Sequence, residues 1–224
     1  MACTNLRALV LSAHPEPRSF SSAQAAAAAA ALMAGGVYTD RVDLYAEKFN
    51  PLLDRHEFGV TEDVFFKPAV AQRMAFEDRR LPPDVERHLQ LLLDADLLVL
   101  SFPMWWFSAP SILKGWLDRV LIPGVVYGHE FDEFEGGRMH GKVALLLVTT
   151  GETEDTYTPE TRYGAVTDLL VPITRSLEFV GYRMAETLVA WKPSRMTDTD
   201  KGDALHRVAS SVRTAAELAS ISDH

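Results

Sequence analysis

Short apolar runs alternate with longer segments of mixed character along this chain. The runs Arg7–Ser12, Asp96–Ser101 and Val143–Thr149 are almost unbroken in Leu, Val and Ala. A strand with one wet face alternates apolar and polar residues, so an unbroken run marks a strand covered on both faces, as in a parallel sheet. Two more runs, Val37–Leu44 and Arg183–Ala190, bring the expected strands to five. Helical stretches fill the gaps. The first follows the loop Ala13–Ser21 and stops at Gly35-Gly36; the others are Pro83–Leu93, Ala109–Val120, Val166–Val180 and Asp198–Ser220. Strand and helix in alternation predict βαβ units with right-handed crossovers. The expected fold is α/β: a doubly wound, five-stranded parallel sheet in the order 2-1-3-4-5, with helices on both faces. One domain is expected over residues 1–224, with insertions near 45–82 and 121–141. Connections of that length usually cover a site or an interface.

Composition supports a packed domain and narrows its partners. Of 224 residues, 47% are hydrophobic and 24% charged, enough to bury a sizeable core. The formal net charge of -9 argues against a nucleic-acid partner, which calls for a basic face. The lone cysteine, Cys3, allows neither an intrachain disulfide nor a cysteine-held zinc. His56, His88, His140 and His206 are scattered without metal-ligand spacing and read as surface or structural, so no metal is expected. No basic stretch leads into a long apolar core near the N-terminus. The run Ala8–Leu11 is too short for a leader or a membrane span, and Ala25–Ala31 reads as helix. A cytoplasmic protein without a membrane span is the expectation.

Ligands of open α/β sheets bind beyond the carboxyl ends of the strands, where the strand order reverses. The loops after strands one, three and four converge there, and they have the most unusual sequences in the chain. The first, Ala13–Ser21, lacks the Gly-x-Gly-x-x-Gly of dinucleotide-binding domains and the Lys-Ser/Thr of a P-loop. It still suits an anion: Ser19, Ser21 and Ser22 precede a helix whose N–H groups and dipole attract phosphate, and His14 and Arg18 add donors. An ordinary N-cap after a Pro-rich turn would use the same residues. The second loop holds Trp105, Trp106 and Phe107 between Pro103 and Pro110. Aromatics are most often core, but here they stand at the ligand edge, where a flat ring system would find stacking surfaces. The third loop runs Thr149-Thr150-Gly151-Glu152 and on to Tyr157 and Tyr163. Hydroxyls and a glycine permit close approach, and the phenols can donate hydrogen bonds to a developing oxyanion; solvent-facing tyrosines are the plainer alternative.

Together the loops resemble the NAD(P)H:quinone oxidoreductase family in its flavodoxin-like branch. The matching pieces occur in order from about Leu6 to Trp191: His14 with Ser19-Phe20; Asp43-Leu44-Tyr45; Phe49-Asn50-Pro51; Ala95-Asp96; Phe102-Pro103; Trp106-Phe107 with Pro110; Leu113-Lys114-Gly115-Trp116; Arg119-Val120; Thr149-Thr150-Gly151; and Tyr157. The Trp105-Trp106 pair is also similar to the bacterial modulator-of-drug-activity quinone reductases. The resemblance implies a flavodoxin-like fold, a non-covalent flavin (FAD, with FMN the alternative), NAD(P)H as hydride donor, a quinone-like acceptor and a homodimer with sites at the subunit interface. It assigns His14, Arg18, Ser19, Phe20 and Ser21 to the ribityl and pyrophosphate portion. Pro103, Met104, Trp105, Trp106 and Phe107 would line the isoalloxazine, and Thr149, Thr150 and Gly151 another edge of it. Tyr157, with Tyr163, would be catalytic, and Tyr127 within 121–141 would help shape the neighbouring chain's site.

Three departures stand out. Mammalian members of the family have histidine where this chain has Tyr163, a phenol with an ordinary pKa of about 10 against about 6.5 for imidazole. They have a second glycine where this chain has Glu152. No counterpart of their long C-terminal extension, which shapes nicotinamide and substrate access, is expected within residues 1–224. An FMN-dependent azo- or nitroreductase, a flavin-bound ancillary subunit of a potassium efflux system, and an electron-carrier flavodoxin remain open on the same fold.

Overall fold

A computed structural model describes residues 6–128 and 130–221; Cys3 lies outside them. The strands are β1 (Arg7–Ser12), β2 (Tyr38–Asp43), β3 (Leu97–Pro103), β4 (Val143–Thr149), β5 (Arg183–Met184) and β6 (Leu188–Ala190). They form one sheet in the order β2-β1-β3-β4-β5, with β6 also paired to β4. Every pairing is parallel, and the register sets Val10 beside Val99 and Val99 beside Leu145.

The helices are α1 (Phe20–Ala34), α2 (Pro68–Glu77), α3 (Pro83–Asp94), α4 (Ser111–Val120), α5 (Val166–Phe179) and α6 (Asp198–Ile221). On one face, α1 and α6 cover Ala8, Val10, Leu97, Val99, Leu145 and Leu147 with alanine-rich surfaces. On the other, α3, α4 and α5 cover Leu9, Leu11, Leu98, Leu100, Phe102 and Leu146. Successive residues of one strand thus enter two different cores. This is why the strand sequences show no alternation. Helix α1 ends at Gly35, and Gly36 takes φ +83° while the Val37 N–H closes back on Leu32 O at 3.0 Å, a glycine-terminated Schellman arrangement.

Four local expectations need correction. The fifth strand is not continuous: after the Ala185 N–H donates to Ala144 O at 2.8 Å, the chain leaves the ladder at Glu186 and Thr187, and the exposed Glu186 turns to water at the sheet edge. Strand β3 runs two residues beyond Ser101, with Pro103 opposite Thr149. Phe20 and Ser21 belong to α1 rather than to the loop before it, because Ser19 is the N-cap and its Oγ accepts the Ser22 N–H at 3.1 Å. The connection 45–82 contains a full helix, α2. Its apolar positions Val70 and Met74 face outward, so no buried stripe announces it.

That connection is pinned to α4 at two points. Gly115 sits where a Cβ would lie 2.2 Å from Pro51 O, so the chain crosses directly over the helix. Arg119, itself buried, donates to Asn50 O at 2.7 Å, Asp84 at 2.8 Å and Glu57 at 2.5 Å. His88 is structural too. Its Nδ1 accepts the Trp116 indole N–H at 3.1 Å, which leaves Nε2 to donate to Glu47 at 3.1 Å. Among the described residues no helix is long and apolar enough to cross a membrane.

Candidate active site

The carboxyl ends of β1, β3 and β4 carry the three loops, and short hydrogen bonds lock them together. Ser101 Oγ at the end of β3 donates to Ser21 O in the first turn of α1 at 2.8 Å. Ser21 Oγ lies 2.9 Å from Thr149 Oγ1 at the end of β4. The Ala13 N–H donates to Ser101 O at 3.0 Å, and the Met104 N–H to Thr149 O at 2.8 Å. All five residues in these four bonds are buried, so the ends of the three strands are held as one body.

Above that platform the first loop presents unused donors. Ser19 takes the Ser22 N–H, but the Phe20 and Ser21 N–H groups reach no acceptor among the described residues. They stand at the positive end of the helix dipole, an arrangement suited to phosphate. His14 Nδ1 accepts the Glu16 N–H at 2.9 Å, which places the proton of a neutral imidazole on Nε2, and its ring meets Trp105 edge-on at 5.6 Å. Arg18 stays at the rim. Its side chain is 89% exposed and its Nε lies 3.0 Å from Glu16, the nearest carboxylate.

The second loop is a strained turn. Trp105 and Ser108 exchange both backbone hydrogen bonds, at 2.9 and 3.0 Å. Trp106 and Phe107 between them both take positive φ, 51° and 61°. This is the pattern of a type I′ turn, which favours Asn-Gly and which bulky residues enter at a cost. The strain buys presentation: Trp106 is 94% exposed, and the N–H groups of Trp106 and Phe107 find no acceptor among the described residues. Met104, by contrast, is buried in the core below the turn, and Pro103 is buried within β3.

The third loop faces the second across a chain of aromatic rings. Phe107 meets Tyr163 at 5.4 Å, Tyr163 meets Tyr157 at 5.4 Å, and Tyr157 packs on Trp191 at 5.6 Å. Burial pushes the Tyr157 phenol above its ordinary pKa, and the neighbouring Tyr163 and the Glu152 carboxylate add to the rise. Thr150 is fixed by its own hydroxyl, which donates to Glu152 O at 2.8 Å. Gly151 and Glu152 leave their N–H groups without an acceptor among the described residues. A Cβ on Gly151 would meet nothing within 4 Å, so internal packing does not require glycine there, while a ligand approaching the backbone would. These open donors beside an aromatic wall and a helix N-terminus fit a flat, polar-edged ring with a phosphate tail.

Two residues of this site escaped the sequence reading. Trp191 and Lys192 follow β6, and Lys192 reaches back to Glu152 at 2.5 Å. Only the pairing of β6 with β4 brings them there; the Trp-Lys dipeptide after an apolar run was the sole signal. Tyr127 lies elsewhere, packed against Phe179 of α5 at 5.5 Å.

A doubly wound sheet with its donors gathered at the switch point defines a flavodoxin-type ligand-binding protein. Residues 7–213 match a family profile described as flavodoxin-like fold. The chain is 37% identical over 183 residues to NAD(P)H dehydrogenase [quinone] 1 of Rattus norvegicus, covering 80% of this chain and 66% of that protein, just under two thirds of its length. It is 31% identical over 198 residues to the ribosyldihydronicotinamide dehydrogenase [quinone] of Pongo abelii, covering 87% and 85%. A solved structure from Klebsiella pneumoniae, assigned by its name to the quinone reductases, superposes with a TM-score of 0.84 at 29% identity, covering 93% and 84%. The chain belongs to the flavodoxin-like family, within its NAD(P)H:quinone oxidoreductase branch.

Proposed function

We propose that this protein is a flavin-dependent NAD(P)H oxidoreductase that reduces quinones or related acceptors by two-electron hydride transfer. The observation that carries the reading is the convergence of three sets of open backbone donors, Phe20–Ser21, Trp106–Phe107 and Gly151–Glu152, at one edge of the sheet. The Phe20 and Ser21 N–H groups would hold the inner phosphate at the helix N-terminus. Arg18, at the rim beyond the Ser19 cap, would meet the second phosphate of FAD, which we favour over FMN. Trp105, Trp106 and Phe107 would wall the ring, and the amides of Gly151 and Glu152 would meet its polar edge.

When bound, the flavin supplies hydride chemistry that none of these side chains can perform. NAD(P)H and the acceptor would occupy the same place in turn, a ping-pong cycle. An ordinary phenol keeps its proton at neutral pH, and burial raises the Tyr157 pKa further, so Tyr157 would donate a hydrogen bond to the oxygen on which charge develops. Tyr163, edge-on to Tyr157, is a second donor but a poorer proton shuttle than a histidine.

The protein is proposed to work in the cytoplasm as a homodimer. Support for the dimer comes from an apolar surface around α2, where Val64 and Phe65 are 50% and 83% exposed. Beside it, Leu117, Leu121, Tyr127, Val171 and Phe179 line a groove of about 730 Å³ between α2, α4 and α5. The test of the activity is direct. Purified protein is expected to be yellow, to release FAD on denaturation, and to oxidise NADH or NADPH once a quinone is added. A colourless protein that gains no activity with FAD or FMN refutes the proposal.

A further inference from the structure

The loop after β4 and the loop after β6 carry opposite charges and are tied at close range. Lys192 Nζ lies 2.5 Å from Glu152 Oε2, with the two side chains 28% and 43% exposed. Lys192 holds this position in the left-handed backbone region, φ 47° and ψ 55°, which a residue with a Cβ enters only at a cost. Its N–H points at Thr150 Oγ1 at 3.4 Å, and the Thr150 N–H donates to Ala190 O at 3.2 Å. Its chain neighbour Trp191 packs on Tyr157. Backbone strain, ion pair and hydrogen bonds all fix one lysine beside one carboxylate.

The charge balance of the third loop explains why that matters. From 152 to 163 it carries Glu152, Glu154, Asp155 and Glu160 against Arg162 alone. Glu152 follows Gly151 directly and belongs to the stretch whose open amides face the proposed flavin. Reduction by hydride adds negative charge to a flavin ring, and an unpaired carboxylate beside it would oppose that change through Coulomb repulsion. Lys192 comes from a different strand end and is the cation that meets this carboxylate.

We propose that Lys192 is a positioning residue of the redox site: by pairing with Glu152 it cancels the carboxylate's charge at the flavin-facing loop and thereby sets the flavin's reduction potential. The inference rests on the flavin-dependent function proposed above. It also accounts for how this chain carries a glutamate where mammalian relatives carry glycine.

The test is the midpoint potential of the flavin in the holoprotein, titrated spectroscopically against a reference dye, for Lys192→Met, Glu152→Gln and the double variant. Lys192→Met is expected to lower the reduced-to-oxidised ratio at the wild-type midpoint about tenfold, close to 30 mV for a two-electron couple. Glu152→Gln, which leaves the cation unopposed, is expected to shift the ratio the other way. The double variant is expected to return near wild type. Shifts of the same sign in both single variants would mean that the pair only props the loops, and that result overturns the inference, as does a potential unmoved in either. A protein that binds no flavin overturns the proposed function and this inference together, whereas a yellow protein with unmoved potentials overturns the inference alone.

Discussion

Arg119→Met tests how the long connection after β2 is held over the fold. The guanidinium is 1% exposed, and its partner Glu57 is 15% exposed at 2.5 Å. Asn50 O and Asp84 also accept from it, and Phe49 lies under its face at 5.1 Å. Methionine keeps much of the volume and removes the charge. Glu57, one of whose carboxylate oxygens already lacks a partner, is then left mostly buried without its cation. Removing one member of a buried pair costs about 3–5 kcal/mol. Asp84 is 41% exposed and regains water, so the lower end, about 3 kcal/mol, is the expected loss. For a chain of this size that corresponds to a melting temperature lower by about 6–12 °C.

The pH dependence supplies the sharper check. Burial already holds the Glu57 carboxyl above its ordinary pKa, with Arg119 opposing the rise. Without Arg119 the rise grows. A carboxyl whose native pKa exceeds its unfolded one binds its proton more tightly in the native state. Its contribution is therefore most favourable below the unfolded value, about 4.3, and is lost as pH rises through the native value. The variant's deficit is expected to be widest near pH 8 and to narrow towards pH 5. Equilibrium urea unfolding of wild type, Arg119→Met and Glu57→Gln/Arg119→Met across that range measures it, and the double variant should recover part of the loss. A loss below about 1 kcal/mol that is also flat with pH would refute the reasoning.

Three further outcomes are expected at the site. Tyr157→Phe should lower the rate of acceptor reduction by about 10²-fold, the usual effect of losing an oxyanion donor, with flavin affinity little changed; equal turnover in stopped-flow assays removes the proposed role. Gly151→Ala should leave thermal stability of the flavin-free protein within about 0.5 kcal/mol, because the added Cβ meets nothing, while weakening flavin binding measured by fluorescence quenching. The paired change Trp106→Asn with Phe107→Gly should relieve the turn and stabilise the flavin-free protein by about 1–3 kcal/mol, yet raise the flavin dissociation constant. A variant that is both more stable and equally good at binding flavin would show that the aromatic turn serves no ligand.

Much of this fold is written in one kind of signal. Strands β1, β3 and β4 are unbroken apolar runs because each is buried on both faces, and that signal is local, so their positions could be read directly, while the sheet order followed from the doubly wound architecture that alternating strands and helices imply. The signal fails at the edges. Strand pair β5 and β6 is short and half-buried, so its interruption at Glu186 and Thr187 depends on which side water takes rather than on any local pattern. Helix α2 was illegible for the opposite reason: its apolar side chains lie on the outside, in the surface proposed for a second subunit, and a single chain gives no buried stripe to find.

The candidate site divides along the same line. Its aromatic and hydroxyl residues stand in strings along the chain, so their kind was visible; what they do with the backbone was not. Nothing in Trp-Trp-Phe-Ser announces a type I′ turn, since those positions favour Asn and Gly, and only the bridge between Trp105 and Ser108 forces Trp106 and Phe107 into positive φ. Lys192 is the harder case. It stands 40 residues from Glu152, and the pairing of β6 with β4 is what closes that distance. A glutamate replacing glycine reads as a defect when the loop is taken alone. With a lysine delivered from the next strand end, that glutamate becomes one half of a neutral pair, so the net charge of this corner of the site is a property of two loops rather than of either sequence.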